Sequence, residues 1–68
     1  MNIKYDSKED AVYFELAKGK YNKSRKVSES ILVDEDKKGK VLGIEILDAS
    51  VNMPKFDPKK ASLQVKSA

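Results

Sequence analysis

One acidic loop has the residue spacing of a calcium site. Counted from its first acid, carboxylates occupy positions one, three and twelve and a glycine occupies position six, namely Asp34, Asp36, Glu45 and Gly39. An EF-hand places ligands and its turn glycine at these positions. Position five, however, is Lys38, which offers no oxygen ligand and repels a cation. Because Asp and Gly also favour turns, we expect a hairpin loop here and assign no metal ligand.

A pair of carboxylates could instead support acid–base chemistry, with Glu45 beside Asp48 or beside Asp34. The chain has no Cys and no His, so it has neither a thiol nucleophile nor an imidazole base. Strand alternation favours a cross-strand pair of Glu45 with a Lys or Tyr. Asp and Ser are common in turns and at helix caps, so we assign Asp48 and Ser50 to such roles. We therefore predict no catalytic residue and no cofactor.

A basic segment is the candidate for contact with nucleic acid. Five positive charges occur there with no acid between them, and an aromatic residue lies among them: Lys18, Lys20, Tyr21, Lys23, Arg25 and Lys26. Such a strand and turn could follow a phosphate backbone while the tyrosine stacks on a base. The alternative is an exposed edge strand whose lysines discourage aggregation.

The length of 68 residues allows one domain with a marginal core. Domains of this size usually need disulfides, a metal or a partner, and the missing cysteines exclude disulfides. Residues 1–50 are neutral, so the net charge of +3 comes from the tail after them. The N-terminus has no apolar stretch typical of a signal peptide and no run is long enough for a membrane helix. We expect a cytoplasmic protein.

Apolar side chains alternate with polar ones in several short segments, the period of half-buried strands. This pattern predicts strands around residues 2–5, 11–17, 22–27, 30–34 and 41–47. The third segment is polar and should form an exposed edge, whereas the fifth is apolar on both faces and should be central. Gly19 can supply a positive φ in a turn, and Gly43 inside the fifth strand suggests a bulge or a close backbone approach. The sequence thus predicts a mainly β, small α+β fold, an antiparallel meander of four to five strands.

The C-terminal segment is distinct from this sheet in its residue pattern. We assign residues 1–50 to the β-meander domain and residues 51–68 to a basic tail. Asp57 before Pro58 favours a short helix that packs on the sheet. The alternation of Ala61, Leu63 and Val65 argues against it, so a frayed tail remains the alternative.

Several of these residues resemble a known family. They are Tyr5-Asp6, Asp10-Ala11 with Tyr13 and Leu16, residues 31–34, Gly39 and the segment VLGIEILDAS at 41–50. Over residues 1–50 the chain resembles the small prokaryotic family called domain of unknown function 2283. The resemblance implies a compact strand-rich domain, and it supplies no activity, cofactor or catalytic residue. The chain departs from that pattern in its more basic segment at 18–26.

A small sheet with apolar residues on both faces is expected to bury the second face against another surface. We predict an interface on the second sheet face, formed by Tyr5, Tyr13, Val41 and Leu47. The partner would be a second copy or another small protein, which makes the chain a non-enzymatic interaction or oligomerisation module. The alternative is that the tail folds back through Met53, Phe56 and Leu63. Nucleic-acid binding through the basic segment and the tail is the second functional hypothesis.

Overall fold

A computed structural model describes residues 2–57 and residue 59. It contains the strands β1 (Asn2–Asp6), β2 (Ala11–Glu15), β3 (Lys23–Ser28), β4 (Ile31–Glu35) and β5 (Val41–Ile46), followed by the helix α1 (Ala49–Asn52). All five strands pair antiparallel in one sheet. The predicted mainly β class is therefore confirmed.

The strand order is β1-β2-β5-β4-β3. A β1–β2 hairpin and a β3–β4–β5 meander are joined where β2 pairs with β5. The predicted central position of β5 is confirmed, and β3 is an edge strand with every residue exposed. Because β2 and β3 are separated by two strands, the connection at residues 16–22 must pass the ends of β5 and β4.

Hydrogen bonds define the β1–β2 turn, and the hairpin loop predicted between β4 and β5 is confirmed. In the β1–β2 turn, Asp6 Oδ1 accepts the backbone N–H groups of Lys8 and Glu9 at 3.0 and 3.3 Å. In the β4–β5 hairpin, Gly39 adopts a φ of 84°, which favours glycine. The expectation of a positive φ at Gly19 is wrong. A Cβ at Gly19 would lie 2.8 Å from a methyl carbon of Leu42, so a larger residue would require that side chain to shift.

The second strand is shorter than the pattern predicts. It ends at Glu15 rather than residue 17, because the N–H groups of Leu16 and Ala17 both donate to the carbonyl of Leu42, at 2.9 and 3.1 Å. Two residues facing one partner interrupt regular pairing. The chain then leaves the sheet and begins its crossing towards β3.

The helix α1 was not predicted from the sequence, and it spans the predicted boundary between residues 50 and 51. Asp48 is its N-cap residue with a φ of 50° and no side-chain cap bond. Most of the helix predicted from Pro58 lies outside the described residues; within them, Asp57 Oδ1 accepts the N–H of Lys59 at 2.9 Å. No helix among the described residues is long and apolar enough to cross a membrane.

The core of the described part is thin. Its buried apolar residues are Ala11, Val12, Val33, Leu42 and Ala49. Four of these come from the three inner strands, and only Val12 is a larger side chain that is fully buried. Most other apolar residues of the sheet are half-buried.

Candidate functional site

One face of the sheet carries two rows of side chains that cross all five strands and are apolar on the first four, β1, β2, β5 and β4. Directly opposite residues on neighbouring strands point to the same face. The first row is Ile3, Phe14, Ile44, Val33 and Arg25. The second row is Tyr5, Val12, Ile46, Ile31 and Ser28. We call the first four side chains of both rows the apolar face.

The helix α1 and the turn after it pack at the Tyr5 corner of the apolar face. Ala49 is 1% exposed, and the ring of Phe56 packs against that of Tyr5 with centroids 6.1 Å apart. Together with Met53 these residues line a small cleft beside the second row. Along the first row, Phe14 and Ile44 remain half-buried.

A hydrogen-bond cluster fixes this corner to the β1–β2 turn. Asp10, which has a φ of 51°, accepts bonds from the Ser50 hydroxyl at 2.6 Å, the Ser50 N–H at 3.1 Å and the Tyr5 hydroxyl at 3.0 Å. The Ser50 hydroxyl, which bonds to the ionised form, lowers the pKa of Asp10 below its usual 3.8. The bond to Asp10 in turn raises the pKa of Tyr5. The three side chains satisfy one another, as in a structural link.

The four residues of the predicted interface do not form one patch. Tyr5 lies opposite Val12, whereas Tyr13 lies opposite Lys4, so the two tyrosines point to opposite faces. Val41 and Leu47 are half-buried and lie at opposite ends of β5. Of the four predicted residues, Tyr5 is the one that belongs to the apolar face.

Tyr13 occupies the opposite face of the sheet and covers Gly43. A Cβ at Gly43 would meet the hydroxyl and ring of Tyr13, so the close approach at this glycine is made by a side chain and not by backbone. The predicted bulge lies beside it, because Asp34 pairs with Gly43 and Glu35 with Val41, which leaves Leu42 as an extra residue in β5. Burial of the ring raises the pKa of Tyr13, and the neighbouring carboxylates of Asp34, Glu15 and Glu45 add to the effect. This second face is mainly polar.

The basic segment does not form one continuous surface. Within β3, Arg25 lies opposite Val33 of the apolar face, and Lys26 lies opposite Leu32 on the polar face. Both are paired with acids: Arg25 with Glu35 at 3.6 Å, and Lys26 with Glu29 at 3.1 Å. The edge strand therefore offers a weaker phosphate-binding track than its composition suggests.

Tyr21 of the same segment is held by hydrogen bonds. Its hydroxyl lies 2.7 Å from Ser24 Oγ, which donates to Asp34 Oδ1 at 2.6 Å. The tyrosine is nevertheless 57% exposed. The hydroxyl of Tyr21 thus takes part in a hydrogen bond within the fold, while much of the residue remains accessible to solvent.

The residues with calcium-loop spacing have other partners. Asp36 Oδ1 accepts the N–H groups of Lys38 and Lys40 at 2.9 and 2.8 Å, which stabilises the predicted hairpin loop. Glu45 lies opposite Tyr13, as cross-strand pairing predicted. Among the described residues, no three Asp or Glu side chains are grouped so that they could hold a metal ion.

Comparison of the sequence with models of known protein families identifies the family of this chain. Residues 2–50 match the model of a family described as protein of unknown function, DUF2283. The chain belongs to this family. Searches of the curated proteins and of the solved structures found no match.

The segment GIEILDAS of this DUF2283 chain runs along the central strand and into α1. Gly43 admits the Tyr13 ring, Asp48 precedes the helix, and Ser50 binds Asp10. Sequence reasoning assigned Asp48 and Ser50 to turn or cap roles but missed the link to Asp10. The two partners are 40 residues apart, and no local pattern connects them.

Proposed function

We propose that this DUF2283 chain is a non-enzymatic interaction module that associates with a second copy of itself through the apolar face. The supporting observation is the uninterrupted apolar row that runs from Ile3 through Phe14 and Ile44 to Val33. Six of the eight side chains on this face, all except Val12 and Val33, are half-buried or exposed. An extended apolar surface on a small domain favours a protein partner.

A second copy suits the shape and charge of this surface. The first four side chains of each row are uncharged, so two copies can approach without repulsion at the centre. Charge begins at the β3 edge, where Arg25 is neutralised by Glu35. Two such sheets can stack face to face about 10 Å apart. The contact would add the buried apolar area that the thin core lacks.

Two observations support a non-enzymatic role: the residue types that are missing, and the structural hydrogen bonds of the aspartates. The chain has no Cys or His. Asp10, Asp34 and Asp36 each accept hydrogen bonds that hold turns or neighbouring strands. These carboxylates are thus occupied by structural roles.

The test is the molar mass in solution, measured by light scattering over a range of micromolar concentrations. We expect twice the chain mass of 7.6 kDa. Ile3→Lys places a charge on the apolar face at an edge strand, where the lysine can still reach water, and should give a folded monomer. Val51→Lys is the matched control, since Val51 is 75% exposed, and should leave the dimer intact.

Circular dichroism of each variant separates loss of the dimer from loss of the fold. A wild-type protein that is folded and strictly monomeric would contradict the proposal. Leu63→Lys tests the alternative occupant, the chain's own tail. If that variant exposes apolar surface to a fluorescent dye while Ile3→Lys leaves the mass unchanged, the tail covers the face and self-association through the apolar face is excluded.

A further inference from the structure

The two ends of the sheet carry opposite charge. At one end lie the connection at residues 16–22, the start of β3 and the hairpin loop at 36–40. These segments contain six lysines and one aspartate, a net charge of +5, which becomes +3 when Glu15 and Glu35, the last residues of β2 and β4, are included. The turns at 7–10 and 29–30 and the segment 47–52 at the other end have a net charge of −3. We call the six lysines at the first end the lysine rim: Lys18, Lys20, Lys23, Lys37, Lys38 and Lys40.

The strand order creates this rim from two separate stretches of sequence. The connection from β2 has to pass the ends of β5 and β4 before it enters β3, and this route brings it beside the β4–β5 loop. Asn22 fixes the contact, because its N–H donates to the Glu35 carbonyl at 2.9 Å. Half of the rim therefore comes from the loop that resembled a calcium site in the sequence.

The positive charge of the rim is not neutralised by contact. The ion pairs within the described residues are Arg25 with Glu35 and Lys26 with Glu29, so no rim lysine is among them. The one acid of the loops, Asp36, is engaged by backbone N–H groups. Six like charges on one end attract a polyanion most strongly at low ionic strength.

The rim also contains a concave site with an aromatic residue. Lys20, Tyr21 and Asn22 from one loop face Asp36, Lys37 and Lys38 from the other across a depression of about 470 Å³. Tyr21 is 57% exposed, and its hydroxyl contact with Ser24 fixes the side chain. An ordered aromatic ring beside lysines combines a stacking surface with phosphate contacts.

We propose that the lysine rim binds single-stranded nucleic acid, with a base stacked on Tyr21 and the flanking phosphates held by Lys20, Lys37 and Lys38. A duplex keeps its bases stacked on each other and offers none to the tyrosine, so a single strand fits better. This site is separate from the apolar face, and the inference does not depend on self-association.

The test is fluorescence anisotropy of a labelled single-stranded oligonucleotide of mixed sequence, titrated with the full chain at low and moderate salt. The first variant neutralises the depression with Lys20→Gln, Lys37→Gln and Lys38→Gln. The matched control removes the same charge elsewhere with Lys4→Gln, Lys8→Gln and Lys55→Gln. We expect the first variant to weaken binding at least about tenfold and to reduce the log–log salt slope by about two, since each contact with a single strand contributes about 0.7.

Substitutions of Tyr21 test whether the bound polyanion is a nucleic acid. Tyr21→Phe keeps the ring and should bind like the wild type, whereas Tyr21→Leu removes stacking and should weaken binding by about fivefold or more. The same titration with heparin and with anionic lipid vesicles should not respond to Tyr21→Leu. Absence of binding at low salt, equal weakening by both triple variants, or equal response of Leu and Phe variants would overturn the proposal.

Discussion

The ring of Tyr13 lies so close to Gly43 that a Cβ atom on the glycine would be 2.8 Å from ring carbon Cε1 and closer still to the hydroxyl. The two residues are diagonal neighbours, because Glu15 is directly opposite Gly43 and Glu45 is opposite Tyr13. A glycine weakens a central strand, since it has no side chain to pack. An aromatic ring over the glycine offsets this loss.

This contact predicts a coupled effect of two substitutions. Gly43→Ala should destabilise the wild-type protein by about 1–3 kcal/mol, because the new methyl group displaces the ring. In a Tyr13→Ala background, Gly43→Ala should reduce the free energy of unfolding far less. The space of the tyrosine ring is then empty, and alanine is more favourable in a strand than glycine. Urea denaturation of the four proteins gives the coupling free energy. Equal costs in both backgrounds would show that the ring does not occupy this position.

The strands could be predicted from the sequence because their signals are local. Alternation located the strands near residues 2–5, 11–17 and 30–34, and the two-sided apolar pattern of residues 41–47 indicated the centre of the sheet. The exposed, basic composition of residues 22–27 likewise indicated an edge. These properties depend only on neighbouring residues, which a single sequence displays.

The site could not be predicted, because it depends on which strands pair. Alternation gives two faces for each strand but not the relation between strands, so Tyr5 and Tyr13 were placed together although the β1–β2 register separates them. Lys20 and Lys37 belong to different loops that only the β2–β5 pairing brings together.

The link between Asp10 and Ser50 predicts a pH-dependent contribution to stability. The folded protein has a lowered pKa at Asp10, so the stabilisation is present above the unfolded value near 3.8 and is lost as the pH falls through the lower folded value. Asp10→Asn removes this contribution. We therefore expect the melting temperature of the variant to lie below that of the wild type at neutral pH.

The gap between the two melting temperatures should narrow in acid, which scanning calorimetry across the pH range can measure. Ser50→Ala removes the main donor to the carboxylate and should show the same trend. A gap that stays constant from neutral to strongly acidic pH would mean that the charge of Asp10 does not strengthen the link.

The two ion pairs of β3 should differ in their contribution to stability because their acids differ in burial. The Glu35 side chain is 11% exposed and that of Glu29 is 93% exposed. Arg25→Met leaves a shielded carboxylate without its cation and should cost about 1–2 kcal/mol. Lys26→Met, the matched control on the same strand, breaks a solvated pair and should cost less than about 0.5 kcal/mol.

Urea denaturation of both variants at low and high salt checks this difference. Screening reduces the contribution of the exposed pair first, so high salt should abolish the small effect of Lys26→Met and retain most of that of Arg25→Met. Similar costs for both substitutions would contradict the shielded position of Glu35 at the edge of the apolar face. A second copy packed on that face would shield Glu35 further. The cost of Arg25→Met should therefore be larger in the wild-type background than in monomeric Ile3→Lys.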